Sequence, residues 1–104
     1  MKKDNLSAKV STIINAIQAA DIVEITHTVI AGNFKLWNRI ELIDHNEYYV
    51  NLIERYNEDS EKENVILYES LVDATVKGNQ ISVKDEDGQP VIIALYSKKP
   101  LDIF

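Results

Sequence analysis

Val23-Glu24-Ile25-Thr26-His27-Thr28-Val29 is the stretch on which the fold turns. Apolar and polar side chains alternate there with period two, the mark of a half-buried strand. Val23, Ile25, His27 and Val29 share one face. Just upstream the period is different. Leu6, Val10, Ile13, Ile14, Ile17 and Ala20 keep the spacing of one helical face. That predicts an amphipathic helix over roughly residues 5–20. Asp4, Asn5 and Ser7 can each cap its first amides, and Lys9, Thr12, Asn15 and Gln18 lie on the solvated side. Asp21 followed by β-branched Ile22 and Val23 ends it.

Downstream, Ala31-Gly32-Asn33 has the chemistry of a tight hairpin. Phe34, Leu36, Ile40 and Leu42 then share a core-facing side, with Lys35, Trp37, Arg39 and Glu41 opposite. Residues 44–56 fit two patterns. Tyr48, Val50 and Leu52 alternate as in a strand, while Tyr48, Tyr49, Leu52, Ile53 and Tyr56 also fit a helical stripe. The strand is favoured, because Asp44-His45-Asn46-Glu47 makes a natural turn and Tyr-Tyr-Val has high β-propensity. The polar segment 57–64 reads as a loop. Residues 65–68, 71–77, 80–84 and 91–97 read as strands, punctuated by Gly78-Asn79 and Asp85-Glu86-Asp87-Gly88. Pro90 belongs at a strand start or an edge. With no repeat or linker, residues 1–104 read as one α+β domain. An N-terminal amphipathic helix packs on a strongly bent antiparallel sheet, or small barrel, of five to six strands.

Composition narrows the chemistry. The 104 residues include no cysteine, which removes disulfides, thiolate metal sites and cysteine nucleophiles. No apolar run approaches a membrane span, and no signal-peptide core follows Met1, so a cytoplasmic protein is expected. Net charge is −6. Residues 21–88 hold 15 acidic and 6 basic side chains, concentrated at 54–63 and 85–87. Duplex binders cluster lysine and arginine against phosphate, so nucleic acid is a disfavoured partner.

No catalytic constellation stands out, which argues against an enzyme. There is no nucleophile elbow, phosphate loop or dinucleotide fingerprint. His27, on an apolar strand face, reads as a hydrogen-bonded core residue. His45 with Glu47 could touch a metal, but no second histidine completes a set. Aligning Asp85, Asp87 and Gly88 with a calcium loop puts Val83 and Ala94 at obligate ligand positions. The segment is instead a hairpin turn with Gly88 left-handed. No metal and no cofactor are expected.

Lys35-Leu36-Trp37-Asn38-Arg39 sets the single tryptophan between two cations on the outward side of its strand. That composition suits a protein-binding hot spot or stacking on a single-stranded base. Burial of Trp37 beneath a loop, the helix or a second subunit is the plainer reading. Tyr49, Ile53 and Arg55 would extend the same face if residues 44–56 form a strand. The apolar Leu101, Ile103 and Phe104 are candidates for self-association into a homodimer, which would cover open sheet edges.

A helix followed by about five bent antiparallel strands is also the order of Sm-like (Hfq-type) RNA-binding barrels. Residues 40–53 look faintly similar to their first motif, with Asp44 after an apolar strand and Asn51 beyond it. The Asp-to-Asn spacing is longer than in that family, its strand glycine is absent, and the charge has the wrong sign. No residue role is carried over. The leading expectation is a non-catalytic protein-interaction module, a small regulator, inhibitor or immunity-type protein. It would act through an acidic surface and the aromatic and basic strand patch. The alternatives are an Sm-like nucleic-acid-binding barrel and a small-ligand-binding or catalytic domain with His27 lining a cavity.

Overall fold

The computed structural model describes residues 2–27 and 37–97, with side chains except at 2–7 and Tyr56. Among the described residues two helices and eight strands follow one another: α1 (Lys2–Ala19), β1 (Ile22–His27), β2 (Asn38–Arg39), β3 (Leu42–His45), β4 (Tyr49–Asn57), β5 (Ser60–Leu67), α2 (Tyr68–Val72), β6 (Thr75–Lys77), β7 (Gln80–Lys84) and β8 (Pro90–Tyr96). They form a five-stranded sheet in the order β2-β1-β8-β7-β6 and a three-stranded sheet in the order β3-β4-β5, with all pairings antiparallel. The fold is α+β, as expected, and the sheets are not closed into a barrel.

The helix buries the stripe that its spacing dictates. Val10, Ile13, Ile14 and Ile17 are all buried, and Ile17 is completely so. They pack in one core with Val23 and Ile25 of β1, Ile81 and Val83 of β7, Val91 and Ile93 of β8, and Val50, Leu52 and Ile66 of the smaller sheet. Asp4, Asn5 and Ser7 lie inside the helix instead of capping it, because it begins at Lys2. Lys9 is not simply solvated. Its ammonium donates to the carbonyls of Val72 (2.8 Å) and Ala74 (2.9 Å), holding α2 against α1.

The second strand departs from its alternation. The chain leaves the larger sheet after β2 and joins the smaller one at β3, so parity is not carried through. Ile40 is buried, Leu42 is 51 % exposed, and Ile43 packs against the core in its place. The 44–56 ambiguity resolves as strand, since β4 is paired on both sides. Asp44 and His45 belong to β3, and the turn is tied by Asn46. Its Oδ1 accepts from the amides of Tyr48 (2.7 Å) and Tyr49 (3.1 Å).

Two further segments differ from expectation. Residues 60–64 are strand, although they alternate with no apolar partner. Their pairing supplies the reason, for Lys62 lies opposite Glu54 and Glu61 opposite Arg55, and opposite charges across a pair favour it. Residues 68–72 form a short helix around buried Leu71. Pro90 opens β8, where no ladder amide is lost upstream. Gly88 is left-handed at φ 82°, and the Asp85 carboxylate ties the turn by accepting from the amides of Asp87 and Gln89, both at 2.9 Å.

Candidate functional site

The two sheets meet at a polar cluster. Asn64 of β5 donates both amide protons inward, to the Leu52 carbonyl at 2.8 Å and to Glu54 Oε2 at 2.9 Å. Its Oδ1 is thereby left to accept from His27 Nε2 at 3.1 Å. His27 belongs to β1 in the larger sheet, so one side-chain amide joins the sheets. The geometry fixes the proton of a neutral His27 on Nε2. Glu54 is 1 % exposed and Asn64 3 % exposed. A carboxylate at that depth is tolerated only with hydrogen-bonding partners, and Asn64 is one of them.

His27 and Asn64 of this cluster line a cavity of about 230 Å³. The opposite rim comes from the β7–β8 turn, which is docked on β5 by a hydrogen bond from the Glu86 amide to the Val65 carbonyl at 3.0 Å. His27, Lys62 and Glu63 face Asp85, Glu86 and Asp87 around it. The two acidic runs of the sequence, more than twenty residues apart, therefore converge on one side of the molecule. Besides the His27 imidazole, the lining carries the Lys62 amine and the carboxyl groups of Glu63, Asp85, Glu86 and Asp87, and no serine, threonine or tyrosine hydroxyl. A larger cavity of about 510 Å³ lies between α2 and the β7–β8 strands, with Ser70 and Ser82 on its lining but no histidine.

Among the described residues no three His, Asp or Glu side chains come together as metal ligands. His45 is engaged elsewhere, with its Nε2 2.9 Å from Gln18 Nε2. An amide nitrogen can only donate, so the imidazole nitrogen accepts and that lone pair is occupied.

The residues singled out on sequence grounds fall in different places. Arg39 is exposed on β2, opposite Glu24 in the larger sheet. Trp37, just before β2, is half-buried. Tyr49 and Arg55 share the face of β4 that points away from Val50 and Leu52. They do not form an open strip, because Asn51 and Ile53 between them are buried. Arg55 is exposed and sits 3.6 Å from Glu61. Lys35 lies outside the described residues, as do Leu101, Ile103 and Phe104 and the Ala31-Gly32-Asn33 turn.

His27, expected as a hydrogen-bonded core residue, is hydrogen-bonded but only half-buried, and it lines a cavity. Glu54 was missed, although it follows Val50 and Leu52 on core-facing parity, and a carboxylate at such a position is a readable signal. Asn64 had no comparable signal, since its role depends on the β4–β5 register.

No helix among the described residues is long and apolar enough to cross a membrane. Comparison with protein-family models, with curated proteins and with solved structures gave no match.

Proposed function

We propose that this protein is a non-catalytic protein-interaction module of the cytoplasm, a small regulator, inhibitor or immunity-type protein that docks a basic partner protein. The observation that carries the reading is the convergence of Glu63 on β5 with Glu86 and Asp87 on the docked β7–β8 turn. Asp85 is committed to holding that turn, whereas Glu86 and Asp87 are exposed. Complementary charge speeds encounter and fixes orientation more than it adds raw affinity. Lys62 also lines this rim, whereas Arg39 on β2 and Arg55 on β4 are not among its lining residues.

The test is capture from native lysate with the full chain as bait. Bound proteins are identified by mass spectrometry and bound nucleic acid by sequencing. A discrete basic protein, lost when Glu63 and Asp87 are both changed to lysine, supports the reading. Recovery of nucleic acid in its place, or capture indifferent to the charge reversal, overturns it. A small-ligand domain is the second reading, favoured by His27 lining a polar cavity.

A further inference from the structure

Helix α2 carries the chain across a gap in the edge of the larger sheet. On one side of the gap Thr75 of β6 lies opposite Ser82 of β7. On the other side the Val65 carbonyl of β5 accepts from the Glu86 amide at 3.0 Å. Lys84 stands midway between Ser82 and Glu86. Odd-numbered residues of this line turn their backbone groups toward β8. The Leu95 amide donates to the Asn79 carbonyl at 2.9 Å, and the Asp85 amide to the Gln89 carbonyl at 3.0 Å. Even-numbered residues face the other way, as the Glu86 amide does, so the Lys84 amide and carbonyl are directed into the gap. The β6 ladder stops at Ser82, and no described residue takes the place of the strand residue missing opposite Lys84.

The gap opens on the cavity of about 510 Å³, a volume within the roughly 300–1,000 Å³ of small-molecule sites. Val83, Val91 and Ile92 give it an apolar lining. Ser70 and Asp73, from α2 and its end, and Ser82 and Lys84, from β7, add two hydroxyls, one carboxylate and one ammonium. None of these four side chains has a partner among the described residues. A purely anionic ligand would be opposed by Asp73 and a purely cationic one by Lys84. A ligand carrying both charges answers both, and a free amino acid also brings the donor and acceptor that the Lys84 backbone lacks.

We infer that this cavity binds a free α-amino acid with an apolar side chain, which replaces the missing strand residue. Its ammonium donates to the Asp73 carboxylate and the Lys84 carbonyl. Its carboxylate accepts from the Lys84 amide and ammonium, and its side chain rests on the valine and isoleucine lining. The residues differ from those of the acidic rim, so the two readings can fail separately.

The experiment follows backbone amide shifts of the full chain by NMR during titration with L-leucine, isovalerate and isoamylamine. Leucine supplies both charges, and each of the others supplies one. Leucine should give saturable shifts centred on Asp73 and Val83 to Lys84, and each single-charge probe should bind about tenfold more weakly or worse. Asp73 and Lys84 are exposed, so Asp73→Asn and Lys84→Gln should keep the folded spectrum. Each should weaken leucine binding about tenfold, and Lys77→Gln, an exposed control on β6, should leave it unchanged. Asp73→Asn should spare isovalerate, and Lys84→Gln should spare isoamylamine. No saturable shift at millimolar leucine, shifts centred elsewhere, or equal binding by wild type and both variants overturns the inference. So does a single-charge probe that binds as tightly as leucine.

Discussion

Ile40 and Glu41, adjacent in the chain, donate their amides to different sheets: Ile40 to the Val23 carbonyl and Glu41 to the Ile53 carbonyl, both at 2.8 Å. The chain changes sheets between two consecutive residues. That corner is why strict alternation fails, and it has a measurable consequence. Ile40→Ala should cost about 2–4 kcal/mol by leaving a core void. Leu42→Ala, which unbroken alternation would rank as equal, should change stability by no more than about 0.5 kcal/mol. Urea midpoints of the two variants check this, and equal losses would contradict the corner.

Helix docking gives the second expectation. Ile17 is completely buried, and Ile13 nearly so, in the core to which both sheets contribute. Either residue cut to alanine should lower stability by about 2–5 kcal/mol. Ser11→Ala, on the exposed side, should be close to neutral. If Ile17→Ala leaves the denaturation midpoint where it was, α1 is not docked.

The parts of the fold that were legible are those where burial alone decides the pattern. Val10 to Ile17 on α1, Val23 and Ile25 on β1, and Ile81 and Val83 on β7 each repeat at the period of their element. Where pairing decides, the pattern is silent. Residues 60–64 hold no apolar side chain, and β5 starts there because Glu61 and Lys62 meet Arg55 and Glu54. That complementarity was present in the sequence, but it gains meaning only once the Asn57 turn is placed, with the Asp59 amide donating to Asn57 Oδ1 at 2.8 Å. Helix α2 depends on Lys9, which acts from 63 residues away. The candidate site divides the same way. His27 and Glu54 follow strand parity, whereas the meeting of Glu63 with Asp87 is a tertiary event.

Tyr68 gives a pH dependence. Burial disfavours its phenolate, and its pKa is raised above the ordinary 10.0. The neutral phenol is thus favoured in the folded chain relative to the unfolded one. The associated stability is fully present below pH 10 and is lost as pH rises through the folded-state pKa. In an ultraviolet titration of the phenolate band, one tyrosine component should lie to the alkaline side of the rest and vanish in Tyr68→Phe. A titration curve unchanged by that substitution would count against it. The same variant loses the hydroxyl bond to the Asn46 carbonyl and should cost about 1 kcal/mol at neutral pH.

The strongest stability test lies in the cluster that joins the sheets. In Asn64→Leu the side chain keeps roughly its volume but offers no donor, so the Leu52 carbonyl and Glu54 Oε2 both lose a buried partner. Taking one hydrogen-bond partner from a buried carboxylate should cost about 1.5–3 kcal/mol. Glu54→Gln keeps an oxygen for Asn64 to donate to and removes the charge, so alone it should cost far less. Combined with Asn64→Leu it should recover part of the loss, because a neutral amide suffers less than an ion when one hydrogen-bond partner is removed. His27→Gln should sit between the two, since it weakens only the 3.1 Å link from the larger sheet. The double-mutant cycle for Asn64 and Glu54, read from urea unfolding, should therefore show coupling of at least about 1 kcal/mol. Strict additivity would mean that Asn64 fills space at the sheet junction and does not sustain the buried charge.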